Sequence, residues 1–287
     1  MLEKAYAKIN LYLDVVGVRD DGFHDIKTVM HSVGLCDELE FIIKESDETA
    51  IEIFSDSDSV PKDRSNIVYR AAEAYLSKFG ACAKVIINIM KKIPVCAGLG
   101  GGSADGAATL RALNRYFGFA SREELLQIAA EIGSDIPFCV FGGAALCEGR
   151  GEIITPIAPL EPTHTVIAIG KERISTPKAY SDIDKKYPDL VLRQNVNRAI
   201  LEDVLSEKTN GANLKSLYNI FEEVVSLPEI EDIKKTMLSS GATSTQMSGS
   251  GPSVFGFFST YESALAAVRV LKESGYQAFY TTTIDKI

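Results

Sequence analysis

The sequence predicts an α+β protein of two domains, a mixed α/β domain over residues 1–155 and a ferredoxin-like domain over 156–287. Three observations carry this expectation. A β-branched run, Lys84–Met90, leads through a glycine run into an alanine-rich helical stretch, Ala104–Tyr116. Three prolines fall within Thr155–Pro162, where the composition shifts. Beyond them the order strand, helices, two strands, helix, strand is that of a split βαβ unit.

Taken in order, Lys8–Val16 alternates Ile9, Leu11, Leu13 and Val15 with Lys8, Asn10, Tyr12 and Asp14, which predicts a strand with one buried face. Further strands are expected at Val29–Val33, Leu39–Ile43 and Ile51–Phe54, followed by a polar surface loop, Ser55–Arg64. Asn66–Phe79 reads as a helix closed by Gly80. Ser121 with Glu124 forms a capping box for a helix ending near Ile132. Phe141–Gly143 and Ala144–Ile154 read as strands around a turn at Gly149–Gly151. In the second half Thr165–Ile169 is a strand, and Thr176 with Pro177 predicts an N-cap and first helical position for a helix carrying Tyr180. Helices are expected at Val196–Leu205, Leu214–Val225, Ile230–Ser239 and Tyr261–Glu273, with strands at Thr243–Met247, Ser253–Phe258 and Gln277–Ile284.

Composition narrows the function classes. The 287 residues are 46% hydrophobic and 24% charged, and carry 30 basic against 39 acidic side chains, a net −9. That balance argues against a broad nucleic-acid or anionic-membrane surface while leaving room for a local phosphate pocket. No run approaches the ~18 apolar residues of a spanning helix, and the first ten residues lack an apolar leader core. Five cysteines without a C-x-x-C pair predict reduced thiols in a cytoplasmic protein, and the three histidines show no metal-ligand spacing.

The glycine run PVCAGLGGGSADGAA, Pro94–Ala108, is the strongest local signal. A strand, glycines and a helix start together make an anion site, because unpaired N–H groups and the helix dipole face the same point. The G-x-x-x-x-G-K-S/T loop is absent, since no Lys-Ser or Lys-Thr follows the glycines. G-x-G-x-x-G fails as well, the sixth residue from Gly98 being Ser103. Protein-kinase motifs are missing entirely. What is left over is a phosphate cradle of another type.

Pro94–Ser103 closely resembles the phosphate loop of the galactokinase, homoserine kinase, mevalonate kinase and phosphomevalonate kinase (GHMP) superfamily. AKINLYLDV at Ala7–Val15 and SGSGPSVFGFF at Ser248–Phe258 are similar to its two other motifs, in the expected order. Within it the chain most resembles the kinases of 4-diphosphocytidyl-2-C-methyl-D-erythritol. Lys8 and Asn10, Arg19–His24, the triple glycine before Ser103, Gly133–Pro137 and Ser175–Pro177 carry that likeness.

The resemblance implies a two-domain GHMP kinase fold with the active site in the cleft. The reaction moves the ATP γ-phosphoryl group to the substrate's 2-hydroxyl, in non-mevalonate isoprenoid precursor biosynthesis. Asp135 matches the family's base and Lys8 its basic partner, a carboxylate being needed to accept the hydroxyl proton. Pro94, Gly98, Leu99, Gly100, Gly101, Gly102, Ser103 and Ala104 match the ATP loop, with Asn66, Ile67 and Lys91 near the base. Asn10, Phe23, His24 and Tyr180 match substrate-binding positions, Phe23 standing where a tyrosine is commoner. Mg²⁺ is expected with ATP, with Ser103 as the one residue singled out as a ligand, and the metal set is otherwise unknown. The partners are then ATP and a cytidyl diphosphate polyol, with neither nucleic acid nor membrane. Two alternatives stay open: another GHMP-type small-molecule kinase, acting on homoserine, mevalonate or a sugar, and a non-catalytic nucleotide-binding module.

Overall fold

The computed structural model describes residues 1–190, 196–207 and 210–287. Two long strands, β1 (Leu2–Val18) and β2 (His24–Glu45), form the antiparallel spine of the first sheet. Along one edge β2 is paired by β4 (Ala83–Met90) over Glu38–Glu45 and by β5 (Ala144–Glu148) over Thr28–His31. The short β3 (Ala50–Ser55) adds to β4, and β6 (Ile153–Pro156) to β5. Register shifts in β1 between Tyr6 and Lys8, and between Asn10 and Tyr12, bend the spine where the polar residues sit.

Four helices cover this sheet: α1 (Ile67–Phe79), α2 (Gly101–Phe117), α3 (Arg122–Ile132) and the short α4 (Ile136–Phe141). Their ends follow the local chemistry. The Asn66 side chain accepts from Val68 N–H, Gly80 closes α1 at φ 60°, and Ser121 and Glu124 make a complete capping box. The small buried face of α2, with Ala104, Ala107 and Ala108, lets it lie close against α1. At Gly106 a Cβ would sit 2.6 Å from Ile67 Cγ2.

The second sheet has the order β11-β7-β10-β9, from β7 (His164–Ile169), β9 (Ala242–Met247), β10 (Ser253–Phe258) and β11 (Gln277–Thr282). All its pairings are antiparallel, and the order is that of a split βαβ unit. Helices α7 (Pro228–Ser239) and α8 (Tyr261–Glu273) cover one face. The other face, through Phe255 and Phe257, shares a core with Ile9, Leu11 and Leu99 of the first sheet's side. Between β7 and β9 lie α5 (Thr176–Lys186), α6 (Arg198–Ser206) and β8 (Tyr218–Asn219), the last running parallel to β1.

Several elements differ from the sequence expectation, some for tertiary reasons and some for local ones. β1 runs the full Leu2–Val18 and is buried on both faces, with Lys8, Asn10, Tyr12 and Asp14 at 4% exposure or less. The second sheet packs on Ile9 and Leu11, while Thr28, Asp135 and the turn after β9 enclose Lys8 and Asn10. Val29–Val33 and Leu39–Ile43 are one strand, since β1 continues the ladder through the intervening residues. Phe141 ends α4 rather than opening a strand. The N-cap of α5 is Ser175, whose side chain accepts from Lys178 N–H, so Thr176 is the first helical residue and Pro177 the second. Leu214–Val225 is not an α-helix: it holds β8 and a short 3₁₀ turn, Ile220–Glu223. There the Asn219 amide donates to Met247 O and Gly249 O while its oxygen accepts from Phe221 N–H, bonds that outweigh helical propensity.

His31, fully buried on β2, ties the two halves. Its Nδ1 donates to Ser32 O at 2.9 Å and its Nε2 accepts from Leu160 N–H at 3.0 Å. Burial pushes the imidazole down from 6.5 to about 4. The unfolded chain therefore binds a proton there first as pH falls, so this stabilisation is complete above pH 6.5 and lost towards pH 4. We expect stability to drop by about 2 kcal/mol between pH 6.5 and 5, read from urea midpoints. A flat profile over that window would exclude a buried neutral His31.

Candidate active site

The glycine loop leaves β4 at Met90 and crosses Pro94–Ala97 before turning into α2. Only two of its glycines are left-handed, Gly98 at φ 77° and Gly100 at φ 67°. A Cβ on Gly98 would lie 2.2 Å from Ser248 O, so the loop can press against the turn after β9 only with glycine here. Gly101 and Gly102 are already helical, and a Cβ on Gly101 would push into Ile93 and the Lys91 ammonium beneath the loop. The loop is stitched on both sides: Lys8 N–H donates to Leu99 O at 3.0 Å, and Ser253 N–H to Ala97 O at 3.2 Å. The first turn of α2 leaves its N–H groups to the cavity in front, since a helix start has no internal partners for them.

That cavity, of about 350 Å³, is bounded by Val60, Asn66, Ile67, Pro94 and the backbone from Gly98 to Ser103. The predicted loop residues come together here, with two qualifications. Leu99 and Ala104 bury their side chains in the core, at 1% exposure each. Asn66 and Lys91 reach the cavity wall, but their polar groups are engaged. The Asn66 amide donates to Pro61 O while its oxygen caps α1. Lys91 Nζ lies 2.5 Å from Asp37 and 2.7 Å from Asp105, a buried triad under the loop. Burial, with the Asp37 charge adding to it, pushes the Asp105 carboxyl up to about 8 against the pull of Lys91. Asp105 lines the cavity, while its Oδ1 is buried without a hydrogen-bond partner among the described residues.

A second cavity, also about 350 Å³, opens beside Gly98 and Gly100 and holds Lys8, Asn10 and Asp135. The Lys8 ammonium donates to Asn10 Oδ1 at 2.7 Å and stands 3.7 Å from Asp135 Oδ2. Asn10 Oδ1 also accepts from Gly249 N–H at 2.9 Å, and Asn10 Nδ2 donates to Thr28 Oγ1 at 2.8 Å. Asn10 therefore turns towards Lys8 and the 248–249 turn, only 1% exposed. Asp135 occupies the N-cap of α4 yet makes no capping hydrogen bond, which leaves its carboxylate, 30% exposed, to Lys8 and the cavity.

The third cavity, about 680 Å³, shares Ile26, Asp135, Thr176 and Tyr180 with the second. Phe23 and His24 meet Tyr180, far along the chain, around it. The His24 and Tyr180 rings stack at 4.6 Å and 26°, Tyr180 being braced edge-on by Phe221 at 5.0 Å. Burial pushes the Tyr180 phenol up to about 12. Phe23 is half exposed, under the Arg150 guanidinium at 5.2 Å.

Residues 66–143 match the GHMP kinases N terminal domain, and residues 202–277 the GHMP kinases C terminal family. A 4-diphosphocytidyl-2-C-methyl-D-erythritol kinase of Clostridium tetani is 40% identical over 285 residues, 98% of this chain and 99% of that one. The same-named protein of Caldicellulosiruptor saccharolyticus is 40% identical over 99% of this chain and 97% of its own. The chain belongs to the 4-diphosphocytidyl-2-C-methyl-D-erythritol kinase family. A solved structure, titled 4-(cytidine 5'-diphospho)-2C-methyl-D-erythritol kinase, superposes with a TM-score of 0.80 at 31% identity, covering 99% of both chains. Homoserine kinase from Cytophaga hutchinsonii shares the fold, with a TM-score of 0.72 at 23% identity over 99% of this chain and 95% of that one.

Against this family frame, several site neighbours went unread in the sequence. Asp184 meets His24 from α5, Arg150 covers Phe23 from the β5–β6 turn, and Thr176 bonds Ser250 at 2.6 Å. Each lies among other charged or small polar residues with no spacing that marks it. Cys96, at φ 58°, borders both the first and second cavities. Among the described residues no group of three or more His, Cys, Asp or Glu is placed to hold a metal ion, and no helix is long and apolar enough to cross a membrane.

Gly100 sits where the first two cavities meet: a Cβ there would lie 3.0 Å from Lys8 Cγ and 3.8 Å from Asp135 Oδ2. Gly100→Ala should lower kcat by roughly tenfold or more, while the left-handed backbone costs only ~1–2 kcal/mol of stability. Steady-state rates beside urea midpoints check this, and an unchanged kcat would mean that Lys8 and Asp135 tolerate displacement.

Proposed function

We propose that this chain is the ATP-dependent kinase that phosphorylates the 2-hydroxyl of 4-diphosphocytidyl-2-C-methyl-D-erythritol, a step of non-mevalonate isoprenoid precursor biosynthesis. One observation carries the reading: Lys8 and Asp135 stand in a cavity that opens on one side to the glycine loop and on the other to the aromatic pocket. A phosphoryl donor held on the loop and an acceptor held by the rings would meet at that pair.

The mechanism follows from this order. Gly98–Ser103 and the start of α2 bind the ATP phosphates through backbone N–H groups, with the base against Val60 and Ile67. Asp135 accepts the proton of the acceptor hydroxyl as the phosphoryl group transfers. Lys8, held by Asn10, places positive charge beside Asp135 and the transferring group, offsetting charge that grows in the transition state. His24, Tyr180 and Phe23 hold the cytidyl end by stacking and edge hydrogen bonds. The Ser248–Ser253 turn closes the cleft by its contacts to Asn10 and Ala97. For Mg²⁺ the Ser103 hydroxyl, which borders the loop cavity, suits a hard ion that keeps waters and substrate phosphates. When bound, the ion neutralises charge on the β- and γ-phosphate oxygens.

In this reading residues 1–155 form the ATP-binding domain and 156–287 the domain that completes the acceptor pocket. The compartment is the cytoplasm, where all five cysteines, free here, stay as thiols.

Asp135→Asn should lower kcat by roughly 10²–10⁴ in a protein that still folds, with a lowered urea midpoint because the buried Lys8 ammonium loses its carboxylate partner. Near-normal turnover would remove Asp135 from the mechanism. An ATP-coupled assay should show turnover with the cytidyl substrate and little with mevalonate, homoserine or galactose; preference for any of the three would overturn the substrate assignment.

A further inference from the structure

His24 has one ring nitrogen engaged and one open. Its side chain is only 11% exposed and lines the third cavity, stacked on Tyr180. Nε2 lies 2.7 Å from Asp184 Oδ1, and Nδ1 has no hydrogen-bond partner among the described residues. A carboxylate can only accept, so the proton of the neutral ring is on Nε2 and Nδ1 presents a lone pair to the cavity. The donor and acceptor pattern of the His24 ring is thus set by a residue 160 positions away on α5.

We propose that Asp184 is a positioning residue that fixes His24 with Nδ1 as a hydrogen-bond acceptor, and so selects a pyrimidine bearing an amino donor over one bearing a carbonyl. Cytosine carries an amino group at C4 where uracil carries an oxygen. An acceptor facing that edge gains a bond with the first and opposes two lone pairs with the second. The inference rests on the reading that this cavity takes the cytidyl end. Asp184 itself is 44% exposed and borders the same cavity, and its carboxylate is spent on His24 Nε2, so it acts on the base through His24.

The test compares the wild type with Asp184→Ala and Asp184→Asn, using the cytidyl substrate and its uridyl counterpart. Asp184→Ala should raise KM for the cytidyl substrate about tenfold, with kcat and the KM for ATP within about twofold. The cytidyl over uridyl ratio of kcat/KM should fall in parallel. Asp184→Asn keeps an amide oxygen that can accept from Nε2 but also an N–H that permits the opposite tautomer, and should lower the ratio less far. Nitrogen-15 spectra of the three histidines report the same event directly, with the His24 proton on Nε2 in the wild type and redistributed in both variants.

An unchanged ratio in both variants, or a wild-type His24 with its proton on Nδ1, overturns the inference. Binding of CMP and UMP, followed on the same resonances, separates it from the kinase assignment. A preference for CMP that depends on Asp184, in a chain without kinase turnover, would keep the inference and remove the assignment. Equal binding of CMP and UMP by the wild type would remove the inference.

Discussion

The amide oxygen of Asn10 is the point on which the site depends. It accepts at once from the Lys8 ammonium, at 2.7 Å, and from Gly249 N–H, at 2.9 Å. A lysine with a 5% exposed side chain keeps its charge only with partners that repay its lost hydration. Asn10 and Asp135 are those partners. The same oxygen pins the turn after β9 to the middle of β1, so one atom fixes both the cation and the approach of the second sheet. Asn219 repeats the device one layer further out, with its amide on Met247 O and Gly249 O.

The glycine loop is shaped by that closure. Gly98 has no side chain because Ser248 O occupies its place, and Ser248 Oγ donates to Gly98 O at 3.0 Å. Gly100 has none because Lys8 passes beneath it. The glycines that look alike in the sequence thus answer to different neighbours: Gly98 and Gly100 to left-handed backbone and close approach, Gly101 to the packing of a helix start over Ile93 and Lys91. Under them the Asp37–Lys91–Asp105 triad supplies a buried polar floor, which the surrounding β-branched core could not.

Local chemistry was readable where local forces decide. The capping box at Ser121, the glycine end of α1, helix α8 and the strand–glycine–helix passage all follow from neighbours a few residues apart. β1 was readable as a strand but not as one buried on both faces, because its polar face is enclosed by Gly100, Asp135 and Gly249, residues far along the chain. Leu214–Val225 has a helical pattern that is overridden by the bonds of Asn219. The pairing of Lys8 with Asp135 leaves no mark in spacing or periodicity, and only the likeness to a known family brought the two together beforehand. Asp184 had no such signal: an acid on an exposed helix among lysines reads as a solvated face until the fold sets it against His24.

Kinase chemistry from this arrangement requires Lys8 and Asp135 to act as a unit, and a double-mutant cycle on kcat/KM tests that most directly. Lys8→Met, Asp135→Asn and the double variant would be compared with the wild type at saturating ATP. For a functional pair the double variant falls no further than the worse single one, to within about threefold. Losses that multiply would show two independent residues, and contradict a site organised around their contact.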